Sequence, residues 1–260
     1  MMMSKNRPPI SVCMASFNGE KYIEEQIVSI LKQLNEQDEL IISDDNSTDS
    51  TIEIIYGLND NRIKCYTNSA KSPSIIANFE NSISRASGEY IFLADQDDIW
   101  LDKKVETMAY YLTNYDLVVS DCSFIDSNGK IQAESYQKLY RSGKGFVKNL
   151  AKNSFLGNCI AFKSNIKSVA LPFPKELYMA SQYHIYHDVW IGLISSLTRG
   201  RIVFIPFKLS MYRRHESNAS PTSTQIDRSP NTTNQKIIGR YWIVLALLKR
   251  LLLISLRYFS

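Results

Sequence analysis

Residues 90–100 read YIFLADQDDIW, and this stretch decides the fold. A near-continuous apolar run, preceded by a turn signal at Gly88, stops abruptly at three carboxylates. Such a run is typical of a strand buried on both faces, as in the middle of a parallel sheet. Open α/β sheets bind their ligands at the carboxyl ends of the strands. The stretch therefore predicts an α/β fold with a ligand site beside Asp95, Asp97 and Asp98.

Two interpretations of these carboxylates remain open. Three acids within four residues raise one another's pKa unless a cation lies between them. Mg²⁺ or Mn²⁺ suits such a cluster, because these cations take oxygen ligands and reach substrate phosphates through one or two carboxylates. Alternatively, Asp97 and Asp98 cap a helix predicted over 99–112. A cap uses one carboxylate, so both interpretations are compatible.

Strand and helix patterns alternate before this stretch. Strand-like runs lie at 10–15, 39–43 and 62–67. Helical patterns begin at Glu20 and occupy 50–58 and 74–86. This alternation predicts βαβ units and a mainly parallel central sheet flanked by helices. Neither GxGxxG nor GxxxxGK[ST] occurs, so the dinucleotide fingerprint and the P-loop are excluded.

The second half of the chain is less regular. Further strands are predicted at 116–120, 159–162 and 202–205, and a helix begins near Tyr183 and ends near Leu197. Residues 124–153, rich in Ser, Gly, Lys and Tyr, are predicted to form a long loop over the substrate cleft. Two asparagines one helical turn apart, Asn78 and Asn81, are candidates to reach a ligand.

The last part of the chain differs from the rest in charge. Residues 199–260 hold 11 Lys or Arg against two Asp or Glu, which favours an anionic partner. Residues 237–259 are apolar, but Lys249 and Arg250 would lie near the bilayer centre of a spanning helix. They predict an amphipathic helix on an anionic membrane surface. The alternative is a helix docked on the domain or in an oligomer interface.

These patterns divide the chain into three parts. Residues 1–215 are predicted to form the α/β domain, with a nucleotide-binding-type half to about 122 and a second half over 123–215. Residues 216–235, almost without apolar side chains, are predicted to be a flexible linker. Residues 236–260 form the helical tail.

The four cysteines show no CxxC pairing or metal-ligand spacing, so reduced, buried thiols are expected. The first nine residues lack a signal-peptide core. Together with the tail, these features predict a cytoplasmic protein peripheral to the inner face of the membrane.

Three spaced motifs resemble the family 2 glycosyltransferases with the GT-A fold. Residues 10–19 (ISVCMASFNG) look like that family's first strand and loop. Residues 40–51 (LIISDDNSTDST) look like its second-strand signature, and residues 87–98 (SGEYIFLADQDD) like its DxD metal segment. The variant DQDDIW, with HDVW at 187–190 and YRRH at 212–215, is similar to bacterial rhamnosyltransferase-like members that build surface polysaccharides.

The resemblance implies an inverting, metal-dependent transferase that uses a nucleotide-diphosphate sugar. Its first-choice donor would be dTDP-rhamnose, with a lipid-linked or growing glycan as acceptor; a UDP-hexose transferase and a non-catalytic binding protein are the alternatives. Nucleic acid is not an expected partner. The nucleotide-binding residues implied are Ala15, Ser16, Asn18, Asp44, Asp45 and Asp95. Two of Asp95, Asp97 and Asp98 would hold Mg²⁺ or Mn²⁺.

On the acceptor side, the resemblance makes Asp188 the general base. Where many members have two acids, this chain has His187 before Asp188. Contacts to acceptor or phosphate are implied for His187, Trp190, Arg213 and His215, although core packing is the favoured interpretation of Trp190. A single displacement needs acids at two places, one near the leaving diphosphate and one facing the acceptor hydroxyl.

Overall fold

The computed structural model describes residues 7–69, 74–198, 200–216, 218 and 231–258. The strands are β1 Ile10–Ser16, β2 Glu39–Asp44, β3 Ile63–Thr67, β4 Tyr90–Asp95, β5 Ile99–Trp100, β6 Leu117–Ile125, β7 Ile131–Ala133, β8 Ile160–Lys163 and β9 Ile202–Arg213. The helices are α1 Ile23–Leu31, α2 Thr51–Gly57, α3 Ile75–Arg85, α4 Lys104–Leu112, α5 Tyr136–Tyr140, α6 Phe146–Ala151, α7 Ser164–Ala170, α8 Lys175–Ser181, α9 His187–Leu197 and α10 Thr233–Tyr258. A short 3₁₀ turn, Gly157–Cys159, precedes β8.

The strands form a single sheet in the order β3-β2-β1-β4-β8-β6-β9-β5, and β7 pairs with β6. The first four strands are parallel, as the sequence predicts. β8 runs against both β4 and β6, so β6 and β9 return to the direction of β4. The prediction of a mainly parallel α/β sheet flanked by helices is confirmed.

Alternate side chains of the central strands enter two different cores, as the period of two along a strand requires. Cys13, Ile41 and Leu93 face one core, which also contains apolar residues of α3 and α7 to α10. Met14 and Ile42 face the other, beneath α1, α2 and α4. The sheet is therefore covered on both faces, and this explains why its strands read as continuous apolar runs. Cys13, Cys122 and Cys159 are buried free thiols, and Cys65 is partly buried.

Residues 99–112 do not form the single helix that the sequence predicts. Ile99 and Trp100 pair antiparallel with Met211 and Ser210 of β9. The helix begins only at Lys104, after Lys103 adopts a left-handed conformation with φ of 68°. The interpretation of Asp97 and Asp98 as helix caps is therefore wrong, because a pairing with a strand more than 100 residues away replaces the first helical turn.

Residues 124–153 also differ from the predicted irregular loop. They contain the end of β6, β7 and the two short helices α5 and α6. None of these residues lines the pocket described below. β6 and β9, which pair with each other, are longer than predicted: β6 extends five residues beyond its predicted end and β9 extends eight. The added part of β9 brings the chain back toward Asp97 and Asp98.

The last helix, α10, is docked on the domain along one side. Ile243, Ala246 and Leu247 are buried against α8 and α9. Near its start, Gly239 approaches Tyr183 so closely that an added Cβ would lie 2.8 Å from the Tyr183 Cβ. Most of the predicted 216–235 linker (217 and 219–230) lies outside the described residues.

The opposite side of α10 is apolar and exposed. The side chains at least one third exposed are Ile237, Ile238, Tyr241, Val244, Leu248, Leu252, Leu253 and Leu256. None of the described helices, α10 included, has the length and apolar character needed to cross a membrane.

Candidate active site

A pocket of about 350 Å³ lies at the carboxyl ends of β1, β2 and β4. It is lined by Ala15, Ser16, Phe17, Asp45, Ser74, Ile75, Asn78, Phe79, Asp95, Gln96, Asp97, Leu156, Gly157, Tyr186, His187, Asp188, Tyr212 and Asn218. The pocket therefore brings the three predicted centres, Asp45, Asp95–Asp97 and Asp188, into one cavity. The parallel strands explain why Asp45 and Asp95–Asp97 meet, because the carboxyl ends of parallel strands lie at one edge of the sheet. Asp188 reaches the same cavity from the first turn of α9.

One end of the pocket is built around the carbonyl oxygen of Ser16. It accepts hydrogen bonds from the Asp45 backbone N–H (2.9 Å) and from Nδ2 of Asn78 on α3 (2.9 Å). The Asp45 carboxylate accepts from Asn68 Nδ2 (2.9 Å) and from the Ser74 N–H (2.5 Å). These bonds fix β1, β2 and the start of α3 as one rigid wall.

Two residues predicted to contact the nucleotide, Asn18 and Asp44, lie outside this lining. Asn18 Oδ1 accepts from the Thr48 N–H at 2.8 Å and so ties the loop after β1 to the loop after β2. Asp44 is buried and accepts from Ser16 Oγ (2.8 Å) and from Ser47. Both side chains are used to hold the loops together, so we assign them to the scaffold.

The second end of the pocket carries Asp95 and Asp97. Burial, and then the negative charges of Asp97 and Asp188, raise the pKa of Asp95. Like charges in a desolvated place disfavour ionisation unless a cation joins them. The electrostatics of this end therefore favour a bound cation.

Asp97 is held in position from two sides. Its Oδ2 atom lies 2.8 Å from His215 Nε2 and accepts from Asn218 Nδ2 at 3.0 Å. Asn218 lines the pocket, and sequence reasoning missed it because it lies in a stretch that reads as polar linker. The contact of His215 Nε2 with the Asp97 carboxylate indicates that His215 acts on the site through Asp97.

Asp98 faces away from the pocket. Its Oδ1 accepts from the Arg213 N–H at 2.8 Å, and its Oδ2 accepts from Asn158 Nδ2. The side chain is fully buried, and burial raises its pKa well above the usual range. Asp98 therefore joins β9 and the turn before β8 to the end of β4, and it is a poor candidate for a metal ligand.

Asp95 and Asp97 fit a divalent cation that keeps other ligands from water or substrate. Among the described residues, no three His, Cys, Asp or Glu side chains come together as a self-sufficient metal site. Mg²⁺ and Mn²⁺ commonly need only one or two protein carboxylates when a substrate diphosphate supplies further oxygens. The two carboxylates therefore suit a cation whose remaining ligands would come from a substrate diphosphate and water.

Asp188 lies in the first turn of α9. Its Oδ1 accepts from the Val189 N–H at 2.7 Å, and burial raises its pKa to about 6. The neighbouring His187 ring stacks on Phe79 of α3 with centroids 3.7 Å apart. Burial lowers the pKa of His187 to about 3, so it is neutral at physiological pH. A carboxylate with a pKa near 6 is suited to accept a proton.

Two further predicted contacts lie in the protein interior. Trp190 is fully buried and donates from Nε1 to the Ala170 carbonyl at 3.0 Å, so the core interpretation holds. Arg213 is also buried; it donates to the Asp97 carbonyl (2.8 Å) and to Glu25 (2.6 Å) and lies over the Tyr22 ring. Both stabilise the walls of the site, and neither lines the pocket.

Comparisons with known proteins agree with this architecture. Residues 11–169 match the model of glycosyl transferase family 2. A Campylobacter jejuni GalNAc(5)-diNAcBac-PP-undecaprenol β-1,3-glucosyltransferase is 32% identical over 57% of this chain and 48% of its own length. An Escherichia coli UDP-Glc:α-D-GlcNAc-diphosphoundecaprenol β-1,3-glucosyltransferase, WfgD, is 32% identical over 51% of this chain and 55% of its own. The chain thus spans about half the length of these relatives.

Solved structures show the same fold. Staphylococcus aureus TarS 1–349 with UDP-GlcNAc superposes with a TM-score of 0.66 at 17% identity, over 93% of this chain and 72% of that one. Mycobacterium tuberculosis glucosyl-3-phosphoglycerate synthase with Mn²⁺, UDP and glucosyl-3-phosphoglycerate gives 0.58 at 18% identity, over 94% and 80%. With the family model covering more than half of the sequence, the chain belongs to glycosyl transferase family 2.

Proposed function

We propose that this protein is an inverting glycosyltransferase that moves a hexose from a nucleoside-diphosphate sugar to a lipid-linked glycan of a bacterial surface polysaccharide. The observation that carries the proposal is the single pocket that holds Asp45, the Asp95–Asp97 pair and Asp188. In this proposal Asp45 serves the donor nucleotide, the Asp95–Asp97 pair serves the leaving diphosphate, and Asp188 serves the acceptor hydroxyl.

The residues divide the chemistry between two ends of the pocket. Asp95 and Asp97 would hold Mg²⁺ or Mn²⁺ at the diphosphate, where the cation neutralises charge that develops on the leaving group. Asp188 would take the proton of the acceptor hydroxyl as its oxygen forms the bond to the anomeric carbon. Attack on the face opposite the diphosphate gives inversion. The raised pKa of Asp188 favours this proton transfer near neutral pH.

The donor and acceptor are proposed from two sources. The C. jejuni and E. coli relatives are named for acceptors that are linked to undecaprenol through a diphosphate. The E. coli enzyme is also named for its donor, UDP-glucose. The motifs at 95–100 and 187–190 resemble the rhamnosyltransferase-like members, which points to dTDP-rhamnose. UDP-glucose and dTDP-rhamnose are therefore the first two donors to assay, with a GlcNAc-diphospholipid as acceptor.

The exposed apolar side of α10 supports the proposal that the protein works at an anionic membrane surface on the cytoplasmic face. A helix with apolar side chains outward and cationic residues beside them binds at the lipid headgroup boundary. Lys236 is exposed near the start of this helix, and Arg240 lies one turn later. A lipid-linked acceptor would be presented at the same surface.

Asp188→Asn tests the catalytic proposal. The variant should lose transfer by about a hundredfold or more, since positioned bases contribute roughly 10²–10⁴-fold. It should keep Mn²⁺-dependent binding of UDP, measured as a rise in melting temperature with ligand. Asp102→Asn, an exposed carboxylate outside the pocket, is the matched control and should keep full activity.

Three results separate this proposal from its rivals. Unchanged transfer in Asp188→Asn would show that another group is the base. Nucleotide binding by the natural chain without transfer to any acceptor would favour a non-catalytic binding protein on this fold. If no nucleoside diphosphate changes the melting temperature, with or without Mn²⁺, both the transferase and the non-catalytic binding protein would be contradicted.

A further inference from the structure

Lys104, the first residue of α4, is a fully buried lysine to which the proposed chemistry assigns no task. Its Nζ atom donates to the Asn158 carbonyl oxygen and lies 4.6 Å from the centroid of the Trp100 ring. A lysine is rarely buried completely, because an ammonium group loses much hydration free energy unless the interior supplies partners. The Asn158 carbonyl belongs to the 3₁₀ turn Gly157–Cys159, so this turn is the element that Lys104 holds.

The 3₁₀ turn connects the Asn158 carbonyl to the N–H of Gly157 through two peptide groups. The Asn158 carbonyl and the Cys159 N–H are the two ends of one peptide group. That N–H donates to the Leu156 carbonyl at 2.9 Å, and the Leu156 carbonyl and the Gly157 N–H are the two ends of another. Groups that are hydrogen-bonded in series polarise one another, so each bond strengthens the next. Lys104 and the Gly157 N–H therefore lie at opposite ends of one hydrogen-bonded chain.

The Gly157 N–H lies beside the carboxylate of Asp188. Burial raises the pKa of Asp188 to about 6, and hydrogen bonds from the backbone N–H groups of Val189, Asp188 and Gly157 act against this rise. The first two donors belong to α9 itself, whereas Gly157 belongs to a different element. An added Cβ on Gly157 would lie 3.9 Å from the Asp188 Cβ, which shows how closely the turn packs on the proposed base. The turn therefore fixes the carboxylate from outside its own helix.

The same turn is also tied to the metal end of the pocket. Asn158 Nδ2 donates to Asp98 Oδ2, and Asp98 follows Asp97 directly in the chain. Asn158 is fully buried, and Gly157 lines the pocket. A shift of the turn would therefore change the position of Asp188 relative to the proposed metal ligands.

We infer that Lys104 is a positioning residue for the proposed base: through the two peptide groups of the turn it aims the Gly157 N–H at the Asp188 carboxylate. The inference rests on the proposed function and adds to it a residue that does not line the pocket. The rival explanation is that Lys104 serves only as a counter-charge for the neighbouring carboxylates of Asp95 and Asp98. The two explanations differ in what the loss of the Nζ donor would change, namely the base or the metal end.

Lys104→Met tests the inference, because it removes the Nζ donor and leaves a long apolar side chain in the core. At saturating donor, acceptor and Mn²⁺, kcat should fall by about tenfold or more, since a small misplacement of a catalytic group costs up to about a hundredfold. The dissociation constant of UDP with Mn²⁺ should stay at the natural value. Val105→Ala is the matched control: the next residue on α4 is buried in the core, so its truncation lowers stability and leaves the chain of bonds intact. This variant should keep the natural kcat.

NMR of chains labelled with ¹⁵N-glycine measures the hydrogen bond itself, without any assay of transfer. An amide proton that donates to a charged carboxylate resonates downfield, so the Gly157 proton should move upfield in Asp188→Asn. It should move in the same direction in Lys104→Met and stay in place in Val105→Ala. The comparison of the natural chain with Asp188→Asn needs no Lys104 variant, so the inference remains testable if Lys104→Met does not fold. An unmoved Gly157 proton in Asp188→Asn would overturn it.

The outcomes separate this inference from the proposed function. Unchanged kcat in Lys104→Met, or a Gly157 proton that does not move in that variant, would overturn the role of Lys104 and leave the transferase proposal standing. Weaker Mn²⁺-dependent binding of UDP by Lys104→Met, together with the natural kcat, would assign Lys104 to the metal end instead. Failure of the natural chain to transfer sugar from any donor would overturn the proposed function, and the inference with it.

Discussion

His215 Nε2 lies 2.8 Å from Asp97 Oδ2, and this contact joins the residues after β9 to the predicted metal end of the pocket. The two residues are 118 positions apart in the sequence. A group that orients a ligating carboxylate affects metal binding without touching the metal, and such partners typically contribute about 10–100-fold in affinity. His215 is therefore a positioning residue in the proposed site.

His215→Ala should raise the Mn²⁺ concentration needed for half-maximal UDP binding by about tenfold. The physical reason is that Asp97 loses one of the two partners that hold Oδ2, so its carboxylate samples more orientations. Isothermal titration at fixed UDP and varied Mn²⁺ measures the effect. Saturating Mn²⁺ should restore UDP affinity, and a loss that excess Mn²⁺ does not reverse would contradict a positioning role.

Asp97 and Asp98 are adjacent, yet their substitutions should have different consequences. Asp97→Ala should abolish Mn²⁺-dependent UDP binding with little change in melting temperature. Asp98→Ala should lower the free energy of unfolding by about 2 kcal/mol or more, because it leaves the buried Arg213 N–H and Asn158 amide without an acceptor. Thermal unfolding and nucleotide titration on both variants check this. Equal stability of the two would contradict the scaffold role of Asp98.

The rate of transfer should depend on pH through Asp188. Burial raises its pKa to about 6. In the proposed mechanism the carboxylate form is the base. The turnover number at saturating Mn²⁺ and donor should therefore be level above about pH 7 and fall tenfold per pH unit well below 6. A profile that stays flat down to pH 5 would show that proton transfer to Asp188 does not limit the reaction.

The two sides of α10 should respond differently to a new charge. Leu248→Glu and Leu252→Glu, on the exposed side, should reduce cosedimentation with anionic vesicles and change stability by no more than about 0.5 kcal/mol. Ala246→Glu, on the buried side, should lower the melting temperature because it places a carboxylate in the core. These substitutions are sharper than deletion of the helix, which would also uncover the core. Unaltered vesicle binding by the two leucine variants would exclude this face as the membrane contact.

The sequence predicts the first four strands and three helices well, because local signals agree there. Apolar runs end at polar turns, and Ser74 caps α3 by accepting from the Ala77 N–H. It fails where distant pairing overrides local pattern, as at Ile99–Trp100, whose partners on β9 have no local signature. Local sequence also does not show which of two adjacent aspartates faces a cavity. For this reason the sequence-based prediction assigns Asp44 the same role as Asp45, and Asp98 the same role as Asp97. Those distinctions depend on strand pleat and on partners far along the chain.

The close approach of Gly239 to Tyr183 has a mechanical consequence for the aspartate that we propose as base. Tyr183 and Ile185, which α10 touches through this glycine, lie a few residues before Asp188 on the same segment. If α10 contacts a lipid leaflet as we propose, a displacement of this helix would act on the segment that leads to Asp188. The proposed membrane-facing helix and the segment of the proposed base are thus in contact at one residue without a side chain.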